Sequence, residues 1–200
     1  MKLIVHRRNT LTELLATPEK YGVEVDIRSY GRNLVIDHEP FKEGESFNAW
    51  IAAYRHGTLI LNVKEEGLEV RLMELLEAHG IADFFFLDQS FPFLIKSAKS
   101  GERRCAVRVS EYESIDTALS LEGKVDWVWV DCFTHFPLSC EDAVRLKASG
   151  FKLCIVSPEL QGRDPALEIP QLADLLVARG IDVDAVCTKR PDLWNQENPK

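Results

Sequence analysis

Thr58-Leu59-Ile60-Leu61-Asn62-Val63-Lys64, then Gly67 to His79, then Asp83-Phe84-Phe85-Phe86-Leu87 sets the rhythm of the chain. The outer two segments are short apolar runs of strand length, rich in β-branched and aromatic residues. Between them Leu68, Leu72, Leu75 and Leu76 recur three and four residues apart, the single apolar stripe of a helix that Gly80 brings to a stop. Two fully apolar strands separated by an amphipathic helix make a strand-helix-strand unit, and strands so connected lie parallel.

The unit repeats outward in both directions. Toward the C-terminus the pattern predicts helix 91–100, strand 105–109, helix 114–121, strand 125–131, helix 141–148 stopped by Gly150, strand 151–156, helix 170–178 ended before Gly180, and strand 183–188. Toward the N-terminus it predicts strand 3–6, helix 11–19 capped by Asn9 or Thr10, strand 22–27 with a returning partner at 34–37, and a brief helical segment around Trp50-Ile51-Ala52-Ala53-Tyr54. The main strands start near residues 3, 22, 58, 83, 104, 125, 151 and 183. Eight such units argue for an α/β fold of the (β/α)8 TIM barrel type with short loops, in a single domain over 1–192 followed by a polar tail, 193–200. An open doubly wound sheet is the alternative. No Gly-x-Gly-x-x-Gly follows a strand, which weighs against dinucleotide binding.

Of the 200 residues 46% are apolar and 28% charged, enough apolar surface for a sizeable core and no signature of disorder. A formal net charge of −8 argues against nucleic acid or an anionic membrane as partner, because phosphate backbones demand clustered cations. Arg7-Arg8 and Arg103-Arg104 are isolated pairs. Only Leu3 to Val5 are apolar before His6-Arg7-Arg8, too short for the apolar part of a secretory signal, and no later run has membrane-span length. The expectation is a cytoplasmic protein without an integral membrane segment. The five cysteines are odd in number and form no Cys-x-x-Cys; Cys105, Cys154 and Cys187 sit in apolar runs. Buried free thiols in a reducing compartment account for them.

The chemistry gathers at strand ends. Glu24 and Asp26 alternate with Val23, Val25 and Ile27, so both carboxylates leave the strand on one face. Tyr30-Gly31-Arg32-Asn33 supplies turn chemistry, and the returning run delivers Asp37, His38 and Glu39. The first strand ends in His6-Arg7-Arg8, and the strand at 59–63 carries Asn62 and Lys64 two residues apart. A barrel places its site at the C-terminal ends of its strands, where His6, Asp26, His38, Lys64, Gln89, Asp131, Ser157 and Lys189 all fall. One carboxylate pair on a strand is more often a solvated face than a site. Three neighbouring strand ends bearing ionisable or amide groups turn the reading toward convergence.

These residues resemble the glycerophosphodiester phosphodiesterase family, a (β/α)8 branch of the phosphatidylinositol-phospholipase-C-like phosphodiesterases. In that family the first strand ends in His-Arg followed by Asn-Thr-Leu, as in His6-Arg7 and Asn9-Thr10-Leu11; the second reads Glu-x-Asp and returns to His-Asp, against Glu24-Val25-Asp26 and His38-Glu39. The third reads Glu-x-Lys, against Asn62-Val63-Lys64, and a late Val-Asp-x-x-x-Thr-Asp-x-Pro is matched by Val183 to Pro191. The resemblance implies metal-dependent hydrolysis of a small-molecule glycerophosphodiester or related phosphodiester. His6 and His38 would be acid and base, Glu24, Asp26 and Asn62 would hold Mg2+ or Ca2+, and Arg7 and Lys64 would face the phosphoryl oxygens. The chemistry is coherent on its own terms: hard oxygen ligands suit these cations, positive charge offsets that of the phosphoryl oxygens, and imidazoles exchange protons near neutrality.

The chain departs from the family in a substituted third metal ligand, Asn62 for a carboxylate, in Glu39 for Asp, and in a shortened cap insertion, since only residues 39–57 separate His38 from the next strand. Val156-Ser157-Pro158 stands where the family often has Trp-Thr. An alternative is therefore an attenuated or non-catalytic relative that binds a phosphorylated ligand. A third reading is a lyase or isomerase using Lys64 or Lys189 as a Schiff-base amine. A Cys132–His135 nucleophile pair lacks any supporting local signature. His56 and His79 read as surface residues, Trp127 and Trp129 as packing, and Glu43-Gly44-Glu45 and Glu65-Glu66 as solvated loops. The oligomeric state has no signature in the sequence.

Overall fold

Parallel pairing dominates the sheet of the computed structural model, which describes residues 1–195; the part of the expected polar tail at 196–200 lies outside the described residues. The strands are β1 (Lys2–Val5), β2 (Gly22–Tyr30), β3 (Asn33–Ile36), β4 (Glu45–Ser46), β5 (Leu59–Val63), β6 (Phe84–Leu87), β7 (Ala106–Val109), β8 (Trp127–Val130), β9 (Lys152–Val156) and β10 (Ala185–Thr188). Eight of them pair in parallel in the order β6-β5-β2-β1-β10-β9-β8-β7. The two ends of this curled succession, β6 and β7, meet at one isolated parallel bridge, Phe86 to Cys105, where the Phe86 N–H donates to the Arg104 carbonyl at 2.8 Å. The fold is α/β and TIM-barrel-like.

Helices α1 (Leu11–Ala16), α2 (Phe47–Ala52), α3 (Glu69–Ala78), α4 (Phe91–Lys99), α5 (Ile115–Leu119), α6 (Cys140–Ala148), α7 (Pro165–Ala178) and α8 (Pro191–Trp194) fall between or after the strands. Thr10 caps α1 in a capping box with Glu13, one of the two caps expected. The expected helix at 11–19 stops at Ala16, ahead of Thr17-Pro18, since the residue before a proline is pushed out of the helical region. Helix α7 corrects the expectation of a start at Pro170. Asp164 accepts the Ala166 N–H and Pro165 occupies the first turn, which is the better start, so Pro170 lies inside the helix.

Side chains on the inner face of the sheet, among them Ile4, Ile60, Phe85, Trp127, Cys154 and Cys187, form one apolar cluster, and a larger one fills the space between the strands and the helices. Gly22 opens β2 against β5: a Cβ there would lie 2.4 Å from the Thr58 carbonyl oxygen, so no larger residue fits that approach. Cys105, Cys132, Cys154 and Cys187 are buried free thiols, whereas Cys140, at the start of α6, is exposed, a correction to the expectation that all five are buried. No helix among the described residues is long and apolar enough to cross a membrane.

Strand β2 does two jobs. Its Gly22–Val23 end pairs with β1 and its Val23–Ile27 stretch with β5, while Ile27–Tyr30 continues beyond β1 to pair antiparallel with β3. Because β5 holds the other edge, β3 takes over the edge that β1 leaves. That extension carries His38 to the rim at the C-terminal ends of the strands.

Candidate active site

Glu24 and Asp26 are fully buried, so the reading of them as a solvated face is excluded. Glu24 lies across from Ile60 and Phe85, and Asp26 from Asn62 and Leu87, which sets both acids inside the curled sheet. Each is held by donors. Glu24 accepts the Arg7 N–H at 2.8 Å on one oxygen and the Asn62 amide at 2.9 Å on the other. Asn9 clamps Asp26 from both sides, its Nδ2 donating to the carboxylate at 2.8 Å and its Oδ1 accepting the Asp26 N–H at 3.1 Å. Arg7 adopts the left-handed region, φ 50°, uncommon for a non-glycine residue. That turn at the end of β1 aims its N–H at Glu24 and brings its Nε to 3.4 Å from Asp26.

The electrostatics follow from burial. Removal from water, with the Asp26 charge added, pushes Glu24 up to about 7 against the opposing hydrogen bonds, as expected of two carboxylates in one dry space. The His6 Nε2 lies 3.7 Å from Glu24. Burial, reinforced by Arg7, Lys189, Lys64 and Arg8, drives His6 down to about 3. It is therefore a neutral imidazole at ordinary pH, and burial with the surrounding cations makes it a weak base.

From Asp26 a chain of alternating charge runs around the strand ends. The Lys64 Nζ is 3.5 Å from Asp26 and 3.1 Å from Asp88; Arg108 joins Asp88 to Asp131 at 3.2 Å; Gln161 donates to Asp131 at 2.7 Å. Asp88 also has left-handed backbone, φ 59°, and borders two cavities, one of about 290 Å3 that includes Lys64 and one of about 700 Å3 that includes Arg108. Asp88, Arg108 and the clamping role of Asn9 escaped the sequence reading. The signal available was their place at strand ends and, for Arg108, the inward parity of β7. Lys64 is paired with two carboxylates, Asp26 and Asp88.

The seven expected site residues divide into two groups. His6, Arg7, Glu24, Asp26, Asn62 and Lys64 form one contact network. His38 stands apart: its Nδ1 is 2.7 Å from Glu39, and among the described residues its ring bonds none of the other six. Its main chain is nevertheless tied to that of Lys64 through Arg28, whose guanidinium reaches both carbonyls. The Cys132 thiol is buried, and burial and Asp131 push it up to about 12, which disfavours the thiolate that a Cys132–His135 nucleophile would need.

The donors suit a hard cation. Asn62 Oδ1 and Asp26 Oδ1 are buried without a hydrogen-bond partner, and such orphaned oxygens are what Mg2+ or Ca2+ would satisfy. The set is two carboxylates and one amide. Among the described residues no group of three or more His, Cys, Asp or Glu side chains converges on a point that could hold a metal.

No protein-family model matches this chain, and no curated protein matches it in sequence. Solved structures do match in fold. A glycerophosphodiester phosphodiesterase from Agrobacterium tumefaciens str. C58 superposes with a TM-score of 0.66 at 14% identity, covering 96% of this chain and 97% of its own. A glycerophosphoryl diester phosphodiesterase from Parabacteroides distasonis ATCC 8503 gives 0.65 at 12%, covering 96% and 84%. A mutant tryptophan synthase α-subunit from Pyrococcus furiosus gives 0.57 at 11%, covering 93% and 86%. At these identities the likeness is one of fold, and it extends to proteins of different chemistry.

Proposed function

We propose that this protein is a metal-dependent phosphodiesterase acting on a glycerophosphodiester or a related small phosphodiester, and that its eight parallel strands form a closed (β/α)8 barrel. One observation carries the activity: a fully buried carboxylate pair, Glu24 and Asp26, ringed by His6, Asn62, Arg7 and Lys64 at the C-terminal ends of three neighbouring strands. Glu24, Asp26 and Asn62 would hold Mg2+ or Ca2+, which when bound supplies charge stabilisation to a phosphoryl oxygen. Arg7 and Lys64 orient the phosphoryl group, exchanging part of their pairing with Asp26 for its oxygens. His6 and His38 move the proton between attacking and leaving oxygens. The cavities on either side of Asp88 leave room for the two alcohols.

Glycerol 3-phosphate release from a panel of glycerophosphodiesters, assayed with Mg2+, Ca2+ or Mn2+, tests the proposal. Turnover should fall by about a hundredfold or more in the His6→Ala, His38→Ala double variant, the usual scale of acid–base catalysis. A second reading, an attenuated relative that binds a phosphorylated ligand, draws on Asn62 in place of a carboxylate and on the prior engagement of Arg7 and Lys64 by Asp26. Clear binding of glycerol 3-phosphate with turnover no greater than that of the double variant selects it.

A further inference from the structure

Arg28 continues the inward alternation of Glu24 and Asp26 by one more step, past the end of the β1 pairing at Val23 and inside the hairpin of β2 with β3. Its guanidinium touches two strand exits at once. Nε and Nη2 donate to the His38 carbonyl at 3.2 and 3.0 Å, and Nη1 donates to the Lys64 carbonyl at 3.2 Å. Both acceptors lie beyond the ends of their strands, β3 at Ile36 and β5 at Val63, although the Lys64 N–H still donates to the Ile27 carbonyl of β2 at 3.0 Å. Among the described residues, the other hydrogen bonds of Asp37, His38 and Glu39 stay within that tripeptide: the Glu39 N–H to Asp37 Oδ1 and the His38 ring to Glu39. Among the described residues, Arg28 is thus the one group that fastens the His38 segment to the sheet by side-chain hydrogen bonds. On the opposite face of the strand, Ser29 donates from its N–H and hydroxyl to the Glu65 carboxylate at 2.9 and 2.6 Å, tying the same hairpin to the same β5 exit one residue further along.

We infer that Arg28 is the positioning residue for His38, a planar fork that fixes the main chain bearing the imidazole against the main chain bearing the Lys64 ammonium. The catalytic consequence rests on the proposed activity, whereas the clip itself does not. A guanidinium reaches two carbonyls on separate strands because its N–H groups diverge in one plane; a lysine ammonium in the same place supplies charge without that fixed span. Loss of the fork releases Asp37 to Glu39 and leaves Glu24, Asp26 and Lys64 where they are.

Two measurements on the full chain decide it. Hydrogen exchange of the amides at 33–39 should speed up by about tenfold or more in Arg28→Met, the scale of one charge-assisted hydrogen bond, and by less in Arg28→Lys, with β8 to β10 unchanged. In the diester assay Arg28→Met should lower kcat about tenfold with little change in KM, and should cost nothing further in a His38→Ala background. Unchanged exchange at 33–39 overturns the inference whether or not any diester is turned over. So does a loss of kcat of equal size with and without His38, the mark of a merely structural role. Accelerated exchange in a protein that turns over no diester upholds the clip and removes the phosphodiesterase reading alone.

Discussion

Under the proposed function, Asn62 is the residue on which affinity for a cation would turn. Its amide donates to Glu24 at 2.9 Å and leaves its own oxygen buried without a partner, so it neutralises nothing and satisfies Glu24 by hydrogen bonding alone. Asn62→Asp replaces that donor with a third carboxylate. With chelator present the variant should lose about 1 to 3 kcal/mol of stability, the cost of an unsatisfied buried polar group, and added Mg2+ or Ca2+ should restore it. Calorimetry should register metal binding about tenfold tighter than in the wild type, because ligand charge sets affinity at such sites. Glu111 offers a separate test away from the site. Burial works to raise it, but the N–H groups of His135 and Thr134 outweigh that and hold it down to about 2. A carboxylate depressed in the folded state contributes stability above its unfolded value, and that contribution disappears as pH falls toward its folded value. Glu111→Gln should therefore melt below the wild type at pH 7, with the gap closing between about pH 4.5 and pH 2. The difference between legible and hidden residues is physical. Glu24 and Asp26 were readable because a side-chain period of two puts them on one face. Asn9, Asp88 and Arg108 act through partners 17, 24 and 20 residues away, and no local pattern records a pairing made across strands.

At the scale of elements, sequence and structure agree where a period is long and disagree where a proline is ambiguous. The strand at 59–63 and the stripe of Leu72 and Leu76 in α3 came from unbroken runs. The start of α7 did not, since a proline signals a first turn as readily as an interruption. Pro170 sits exposed inside that helix, where it can donate no hydrogen bond to the preceding turn. Pro170→Ala should stabilise the protein by up to about 3 kcal/mol, less the entropy that proline removes from the unfolded chain. A melting curve checks it; a lower melting temperature would mean that the ring's packing outweighs the backbone term. The hairpin of β2 and β3 was legible from its turn residues, but its purpose was not. Only the pairing register reveals that β3 occupies the edge β1 vacates, and so that His38 arrives at the rim by way of an extension of the strand that carries the two acids.

The count of eight parallel strands was available from the alternation of apolar runs and helical stripes, yet alternation cannot show how the first and last strands of the curled order meet. In the structure β6 and β7 join through one isolated bridge, whereas β7 and β8 share a ladder of four paired positions. The backbone is weakest there, so the inner side chains must carry that side of the sheet. Phe85 of β6 stacks on Trp127 of β8 with ring centroids 4.6 Å apart, reaching past the intervening strand. Phe85 is fully buried. Its removal thus costs both a cavity and an aromatic contact that spans the seam from within. Phe85→Ala should destabilise by about 3 to 5 kcal/mol, the range for deleting a buried aromatic side chain, and should accelerate exchange of the Phe86 amide ahead of amides in β9 and β10. If exchange rises evenly around the whole sheet instead, β6 and β7 unfold with the rest as one unit, and the single bridge is no weaker than a full ladder.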